Sequence, residues 1–306
     1  MKQTNNPLAL AGIAKLVGLL FCGFSLSACG LNQKGMVLLT DPAYRATVIG
    51  TNKDGFTVPD GILWRQGKLV MADEGGDAIR IWGNATDVKT LCDATLGIQS
   101  PEDLVMDSDG NLFFTDDDAG GVWEVDHTGK AFLLAGKDKG LVSTEGIALA
   151  PSGEILVGDG LRHQVFSVSR AGEVSVFLGT GYGITKPESM VFDEKGNLYI
   201  ADNEEQIVYL LTPEMKLQRL LENREGFSPE TIWYANHVLY ITDSQHGKLS
   251  RFTPEEGLKT IAVFGGKLSN VCGITMDEQN NIYVSVQTDL KRKLGYIIKL
   301  EHEPLP

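Results

Sequence analysis

The 306-residue sequence contains little cysteine and too few positive charges to balance its acids. Only four residues are cysteine, so the fold is not a disulfide scaffold. Lysine and arginine together number 27 against 40 aspartates and glutamates, and the formal net charge is −13. Because binding to phosphates requires a basic face, the composition disfavours nucleic acid as a partner.

The sequence also lacks the motifs of several common enzyme classes. It has no G-x-S-x-G, H-E-x-x-H, C-x-x-C or Walker motif, which leaves serine hydrolase, zinc protease, thiol redox and nucleotide chemistry without support. It has no sustained helical periodicity, but it has 35 glycines and 42% hydrophobic residues. Short apolar runs between many turns predict an all-β fold with enough apolar mass for a core.

The first thirty residues have the pattern of a secretion signal. Lys2 precedes an apolar run, Leu16–Leu26, that is shorter than a membrane-spanning helix. The run ends in LSAC at residues 26–29, which resembles the lipobox of bacterial lipoprotein signals. That resemblance implies removal of residues 1–28, a lipid on Cys29 and an extracytoplasmic position in the bacterial cell envelope, on the periplasmic side in a Gram-negative cell. The alternative is an ordinary secretion signal with a chance cysteine.

The rest of the chain contains six similar segments. They begin at Pro59, Pro101, Thr144, Pro187, Pro229 and Val271, with spacings of 42, 43, 43, 42 and 42 residues. Five of them end in an aspartate and the sixth ends in Ser285; the aspartate series is Asp73, Asp116, Asp159, Asp202 and Asp243. A constant period of this length indicates stacked supersecondary units.

Each repeat predicts four short antiparallel strands separated by turns. Four strands in about 43 residues is the size of a propeller blade, so we predict a six-bladed β-propeller over residues 44–306, with residues 29–43 as anchor and linker. The last repeat has only three strands before the chain ends. The segment Tyr44–Ile49 therefore supplies the missing outer strand of blade six, which joins the two ends and removes a free sheet edge.

One repeat position is acidic in five of the six blades. Its occupants are Asp60, Glu102, Glu145, Glu188 and Glu230, with Cys272 in the sixth blade. Propeller symmetry places them around the mouth of the central channel, where their repulsion must be relieved by raised pKa values, backbone amides or a cation. Calcium takes six to eight oxygen ligands, so we predict a divalent cation, Ca²⁺ before others; capping of local turns is the alternative. The aspartate series is expected to bond loop amides.

Other candidate residues have competing interpretations. Cys272 is either a soft ligand or nucleophile weakened by acidic neighbours, or a small residue in a divergent blade. His163 and His246 lie on loops of the same face, where they assist proton transfer or are simply solvated. The basic run Lys291–Lys293 holds a substrate carboxylate or lies in a solvated hairpin. A disulfide between Cys92 and Cys272 is not expected, because Cys92 is far from the axis.

Three repeats resemble the senescence marker protein/gluconolactonase family. Residues 101–116 (PEDLVMDSDGNLFFTD) are similar to its PND…DG…FTD segment, residues 144–159 to PNG…SPDG…YVAD, and residues 187–202 to PDG…DEKGNLYVA. The opening PDGILW resembles the family's EGP-x-W. NHL-repeat proteins share this blade pattern, and DGLRH at 159–163 fits their D-x-x-x-H.

The resemblance implies one divalent metal on the channel axis and a general base beside it. The implied metal ligands are Asp60, Glu102, Glu145 and Glu188, with Glu188 also as the base. The family has Glu, Asn, Asn and Asp at these four positions, so none of its own residues is retained here.

Two functions from different classes follow. The first is a metal-dependent hydrolase of a small-molecule lactone or ester, with Glu188 as catalytic base. The second is a non-catalytic, NHL-like binding module that presents its acidic mouth to a cationic ligand or protein partner, with Glu230, His163 and Cys272 as further ligand-binding residues. In both, the lipid on Cys29 attaches the protein to a membrane.

Overall fold

The computed structural model describes residues 37–83, 87–222, 227–266, 269–289 and 294–302. The signal sequence, Cys29 and the basic run Lys291–Lys293 lie outside the described residues. The strands in chain order are β1 (Val37–Leu39), β2 (Tyr44–Thr51), β3 (Pro59–Arg65), β4 (Lys68–Asp73), β5 (Ala78–Gly83), β6 (Asp87–Asp93), β7 (Pro101–Met106), β8 (Leu112–Asp116), β9 (Gly121–Val125), β10 (Ala131–Ala135), β11 (Thr144–Leu149), β12 (Ile155–Asp159), β13 (Gln164–Val168), β14 (Val174–Leu178), β15 (Pro187–Phe192), β16 (Leu198–Asp202), β17 (Ile207–Leu211), β18 (Leu217–Glu222), β19 (Pro229–Ala235), β20 (Val238–Asp243), β21 (Lys248–Thr253), β22 (Gly257–Phe264), β23 (Asn270–Met276), β24 (Ile282–Asp289) and β25 (Leu294–His302).

These strands form six antiparallel sheets, each starting from an innermost strand. The innermost strands are β3, β7, β11, β15, β19 and β23. Each packs against the innermost strands of the two neighbouring blades, and the cycle closes between β23 and β3. The prediction of a six-bladed propeller with four strands per blade is confirmed. Within the described residues, no helix is both long enough and apolar enough to cross a bilayer.

The two ends of the propeller meet in blade six. Strand β2 pairs antiparallel with β25, with Tyr44 opposite His302 and Thr51 opposite Tyr296. The predicted closure is therefore confirmed, and β2 extends slightly beyond the segment expected for it. Ala46 and Val48 of this strand pack against the apolar core between blades five and six.

Blade five has a fifth strand that the repeat pattern did not predict. Strand β1 pairs with the outer strand β22, with Val37 opposite Phe264 and Leu39 opposite Ala262. It lies within residues 29–43, which we expected to be a linker. Three residues are too few to show a period of two, so only the structure reveals this strand.

In the sixth repeat, the second strand is shifted by one residue relative to the alignment of the six segments by sequence. Pro229 pairs with Asp243 in blade five, but Val271 pairs with Val286 in blade six. Val286 is therefore the counterpart of the aspartate series, and assigning Ser285 to that position was wrong. The reason is turn length, because five residues separate β23 from β24 whereas two separate β19 from β20.

The apolar core lies between neighbouring blades. Between blades one and two, Val70 and Ile79 pack with Phe114 and Trp123, and each is at most 6% exposed. Full burial of such a side chain contributes about 1.5–3 kcal/mol. This packing fixes the blades against one another and thereby fixes the positions of the residues at the axis.

Candidate functional site

Five acidic side chains line one cavity at the axis. The acidic ring, as we call it, consists of Asp60, Glu102, Glu145, Glu188 and Glu230, each the second residue of an innermost strand. Gly61, Asp103 and Thr231 line the same cavity, which we call the channel mouth. Its free volume is ≈ 10 Å³, room for about one water molecule. The structure thus brings together the five carboxylates that the repeat pattern singled out.

Small residues and hydroxyl groups hold the strands close at the axis. A Cβ at Gly61 would lie 2.4 Å from the carbonyl oxygen of Glu102, so only glycine allows this approach. Thr242 Oγ1 donates a hydrogen bond to the carbonyl of Cys272 at 2.6 Å, and Thr115 Oγ1 donates one to the carbonyl of Glu145. These bonds fix the backbones of Cys272 and Glu145 to the preceding blade.

The aspartate series holds the loops that lead into the ring, as expected. Asp73 accepts hydrogen bonds from the backbone amides of Thr57 and Val58, both at 2.8 Å. Asp202 accepts them from Thr185 at 2.7 Å and Lys186 at 3.1 Å. Both carboxylates are fully buried, so these amides replace the hydrogen bonds of water, and Asp73 also pairs with Arg80 Nε at 2.5 Å.

A second ring lies beside the acidic ring and was not predicted from the sequence. Its members directly follow the aspartate series or Val286, and they are Glu74, Asp117, Gly160, Asn203, Ser244 and Gln287. Gln287 Nε2 donates hydrogen bonds to Asp60 at 3.0 Å and to Glu74 at 2.8 Å. Ser244 Oγ donates to Glu230 at 2.7 Å, and Asn203 donates to Glu188 and Glu230. These residues could have been found from the sequence by taking the residue that directly follows each aspartate of the series.

A lysine also reaches the acidic ring. Lys186 Nζ lies 2.6 Å from Glu188 Oε1 and 3.4 Å from Glu145 Oε1. Within the described ranges, no other lysine, arginine or histidine forms an ion pair with a ring carboxylate. Burial alone would lower the pKa of Lys186, but the carboxylates of Glu188 and Glu145 raise it above its ordinary value. The side chain therefore remains an ammonium ion.

Burial raises the pKa of most ring carboxyl groups, and their mutual repulsion adds to this effect. The pKa values of Asp60, Glu102 and Glu188 are well above their ordinary values for these two reasons. Each of Asp60 and Glu102 is among the causes of the other's shift, so the two carboxyl groups influence each other's protonation. Burial raises the pKa of Glu145 to about 7, against the opposing effect of Lys186.

The pKa values of two further groups, Asp103 in the mouth and Cys272 near the ring acids, are raised for similar reasons. Burial raises the pKa of Asp103 to about 7, although the amides of Leu104 and Ile147 donate to it. Burial and the nearby acids raise the pKa of Cys272 well above its usual value, so this group is a thiol at neutral pH. Cys92 and Cys272 are both buried and unpaired.

The arrangement does not fit the divalent metal that the family resemblance implies. Carboxylate oxygens suit calcium chemically. However, no group of three or more His, Cys, Asp or Glu side chains in the described part of the chain is arranged to hold a metal ion. The ammonium group of Lys186 lies between Glu145 and Glu188, two of the four implied ligands.

The two candidate histidines are placed apart from the acidic ring. His163 Nδ1 lies 2.9 Å from the backbone carbonyl oxygen of Thr185, and the residue has a positive φ of 54°. His246 Nδ1 lies 2.8 Å from Asp243 Oδ1. Neither lines the channel mouth. Both imidazole rings contact loop groups, and a role for them in ligand binding or proton transfer stays a prediction.

Fold and site together define a six-bladed β-propeller with an acidic channel mouth. No family profile matches the chain, and no curated protein is similar to it in sequence. Among solved structures, a gluconolactonase from Xanthomonas campestris superposes with a TM-score of 0.67 at 16% identity, covering 89% of this chain and 95% of that one. Virginiamycin B lyase from Staphylococcus aureus gives 0.64 at 14%, covering 84% and 99%.

A binding protein shares the fold as well. A chain of a nidogen–laminin complex superposes with a TM-score of 0.60 at 17% identity, covering 78% of this chain and 96% of that one. The similarity to gluconolactonases that the motifs predicted is confirmed at the level of the fold. At such identities the fold is shared by enzymes and binding proteins alike, so function must be argued from the site.

Proposed function

We propose that the protein is a binding module that receives a cationic ligand at its channel mouth. The observation that supports this proposal is the excess of acidic over basic side chains there. The five carboxylates of the acidic ring are joined by Glu74 and Asp117 in the second ring, whereas Lys186 is the one basic group paired with the acidic ring in the described residues. A site of this kind attracts cations and strengthens their hydrogen bonds, because charged donors to carboxylates form the strongest pairs.

The size of the mouth limits which part of a ligand enters it. The free volume of ≈ 10 Å³ admits a group about as large as one water molecule. An ammonium nitrogen has this size, whereas a bulky quaternary amine does not. The ligand is therefore a small molecule or a protein partner that presents a primary ammonium group on an extended stem.

We also propose a location for the protein in the cell. The lipobox-like LSAC at residues 26–29 supports lipid attachment at Cys29 and an extracytoplasmic position at a membrane. A propeller held in this way meets ligands of the envelope rather than those of the cytoplasm.

A metal-dependent lactone or ester hydrolase is the second candidate. The structural similarity to a gluconolactonase favours it. Glu188, the residue predicted to act as base, has a raised pKa, which is typical of acid–base groups. Its carboxylate is nevertheless bonded to Lys186 and Asn203, and the ring does not fit a metal as arranged.

Calorimetric titration of the full-length protein in detergent with spermidine tests the first candidate. We expect saturable binding that weakens with added salt and falls at least tenfold in Glu230→Gln, because this change removes a ring charge. Asp109→Asn is the matched control, since Asp109 lies in the exposed turn at the other end of β7 from Glu102. Absence of spermidine binding, with calcium-dependent hydrolysis of gluconolactone lost in Glu188→Gln, would instead establish the second candidate.

A further inference from the structure

Lys186 occupies a space that the fold leaves open for it. A Cβ at Gly160 would lie 3.1 Å from Cγ of Lys186 and 3.1 Å from Oε1 of Glu145. Gly160 is the one member of the second ring without a side chain, and its φ is not positive, so conformation does not require glycine there. The stem of Lys186 takes the place of the missing side chain.

The position of Lys186 in the repeat is neutral in every other blade. The residue that precedes the innermost strand, or its equivalent before Val271, is Val58, Ser100, Ser143, Lys186, Ser228 or Asn270. Lysine at this repeat position and glycine in the second ring therefore each occur once, and the two residues are neighbours in the structure. The lysine backbone is itself fixed there, because its amide donates to the buried Asp202 at 3.1 Å.

The ammonium group of Lys186 contacts the same carboxylate oxygens that a divalent cation would need as ligands. A calcium ion requires several oxygens at about 2.3–2.6 Å. Lys186 Nζ already lies 2.6 Å from Glu188 and 3.4 Å from Glu145. A second cation sharing these oxygens would be repelled by the first at short range.

We infer that Lys186 is a built-in counterion that selects which cation the channel mouth accepts, keeping divalent metals out and leaving the other acids of the ring for a singly charged ammonium group. This inference rests on the proposed binding function. It also explains why a ring that resembles a metal site by sequence is not arranged as one. Lys186 acts as a specificity-determining residue, and removing its charge should convert the mouth into a calcium site.

The experiment compares calcium binding by the full-length wild type, Lys186→Met and Lys195→Met, using calorimetry and thermal unfolding. Lys195 is the matched control, because it lies exposed in the turn between β15 and β16 of the same blade, at the other end of β15 from Glu188. We expect no saturable calcium binding by the wild type or the control. Lys186→Met should bind calcium at least tenfold more tightly than the wild type and gain thermal stability from it.

Gly160→Ser provides a second variant in case Lys186→Met does not fold. A side chain at residue 160 would displace the lysine stem, so calcium binding should appear there too. Equal calcium affinity in the wild type and Lys186→Met would overturn the inference. Failure of every folded variant to bind calcium would overturn it as well. Spermidine binding is measured separately on the wild type. Its absence would count against the proposed function alone, and the calcium results would still decide the role of Lys186.

Discussion

The side-chain hydroxyl of Ser285 donates a hydrogen bond to the backbone carbonyl of Asp60. These two residues are 225 positions apart in the chain and belong to the last and first blades. The same hydroxyl accepts a hydrogen bond from the amide of Gly273 at 2.7 Å. One serine thus joins the closure of the propeller to the geometry of the acidic ring, because it sets the backbone of Asp60.

Removal of the closing strand should destabilise the whole propeller. Deletion of residues 30–50 takes away β1 and most of β2, exposes the edge of β25 and uncovers the core against which Ala46 and Val48 pack. We expect a loss of several kcal/mol in the free energy of unfolding, measured by urea denaturation. Deletion of residues 30–43, which removes β1 but leaves β2, is the control. An unchanged urea midpoint in the longer deletion would show that closure contributes nothing.

Stability should rise as the pH falls from 8 to 5. Glu145 and Asp103 have pKa values of about 7 in the folded protein, above the ordinary carboxyl range, so folding takes up protons as the pH falls through 7. Each group should add roughly 2 kcal/mol over this interval. Below about pH 4 the trend should reverse, because acids such as Asp107 have lowered pKa values.

Urea midpoints measured at each pH test this dependence. The groups acting on Glu145 besides burial are Lys186, Asp117 and Glu230, and they are present in all variants. Glu145→Gln should reduce the gain between pH 8 and 5 by roughly 2 kcal/mol, the share expected from this one group. A profile of Glu145→Gln that matches the wild type would show that Glu145 is not the titrating group.

The constant repeat period was sufficient to predict six blades, the closing strand and the meeting of five acids. Symmetry brings equal repeat positions together whatever the loops do. Lys186 was not predictable in this way, because its position has no common residue type among the blades and its reach depends on the space at Gly160. The misplacement of Ser285 had a similar origin, since the one-residue shift depends on turn length rather than on pattern.

Lipid attachment at Cys29 remains a prediction. Labelled palmitate should enter the wild-type protein in a bacterial host and should not enter Cys29→Ser, because the lipid is joined to that sulfur. Cys22→Ser is the matched control, since Cys22 lies in the segment that we expect to be removed with the signal. Labelling that persists in Cys29→Ser would exclude this residue as the attachment site.

Substitution of two glutamates of the acidic ring should change the stability of the protein in opposite directions. Glu230 receives hydrogen bonds from Ser244 and Asn203, both of which a glutamine oxygen can still accept. Glu188 is instead the closest partner of the Lys186 ammonium group. At pH 8, Glu230→Gln should stabilise the protein by about 1 kcal/mol, because it removes one of several like charges. Glu188→Gln should destabilise it by about 1–2 kcal/mol, because it weakens a partly buried ion pair.

Urea midpoints at pH 8 and pH 5, with EDTA or with calcium, distinguish this account from one with a resident metal. If Lys186 alone offsets the ring charge, both effects should be independent of calcium, and the gain in Glu230→Gln should shrink at pH 5 as neighbouring acids become protonated. A metal in the ring would make EDTA destabilise the wild type and would make both substitutions destabilising with calcium present. Opposite signs that do not change on addition of calcium therefore identify the ammonium group of Lys186 as the ring's counterion.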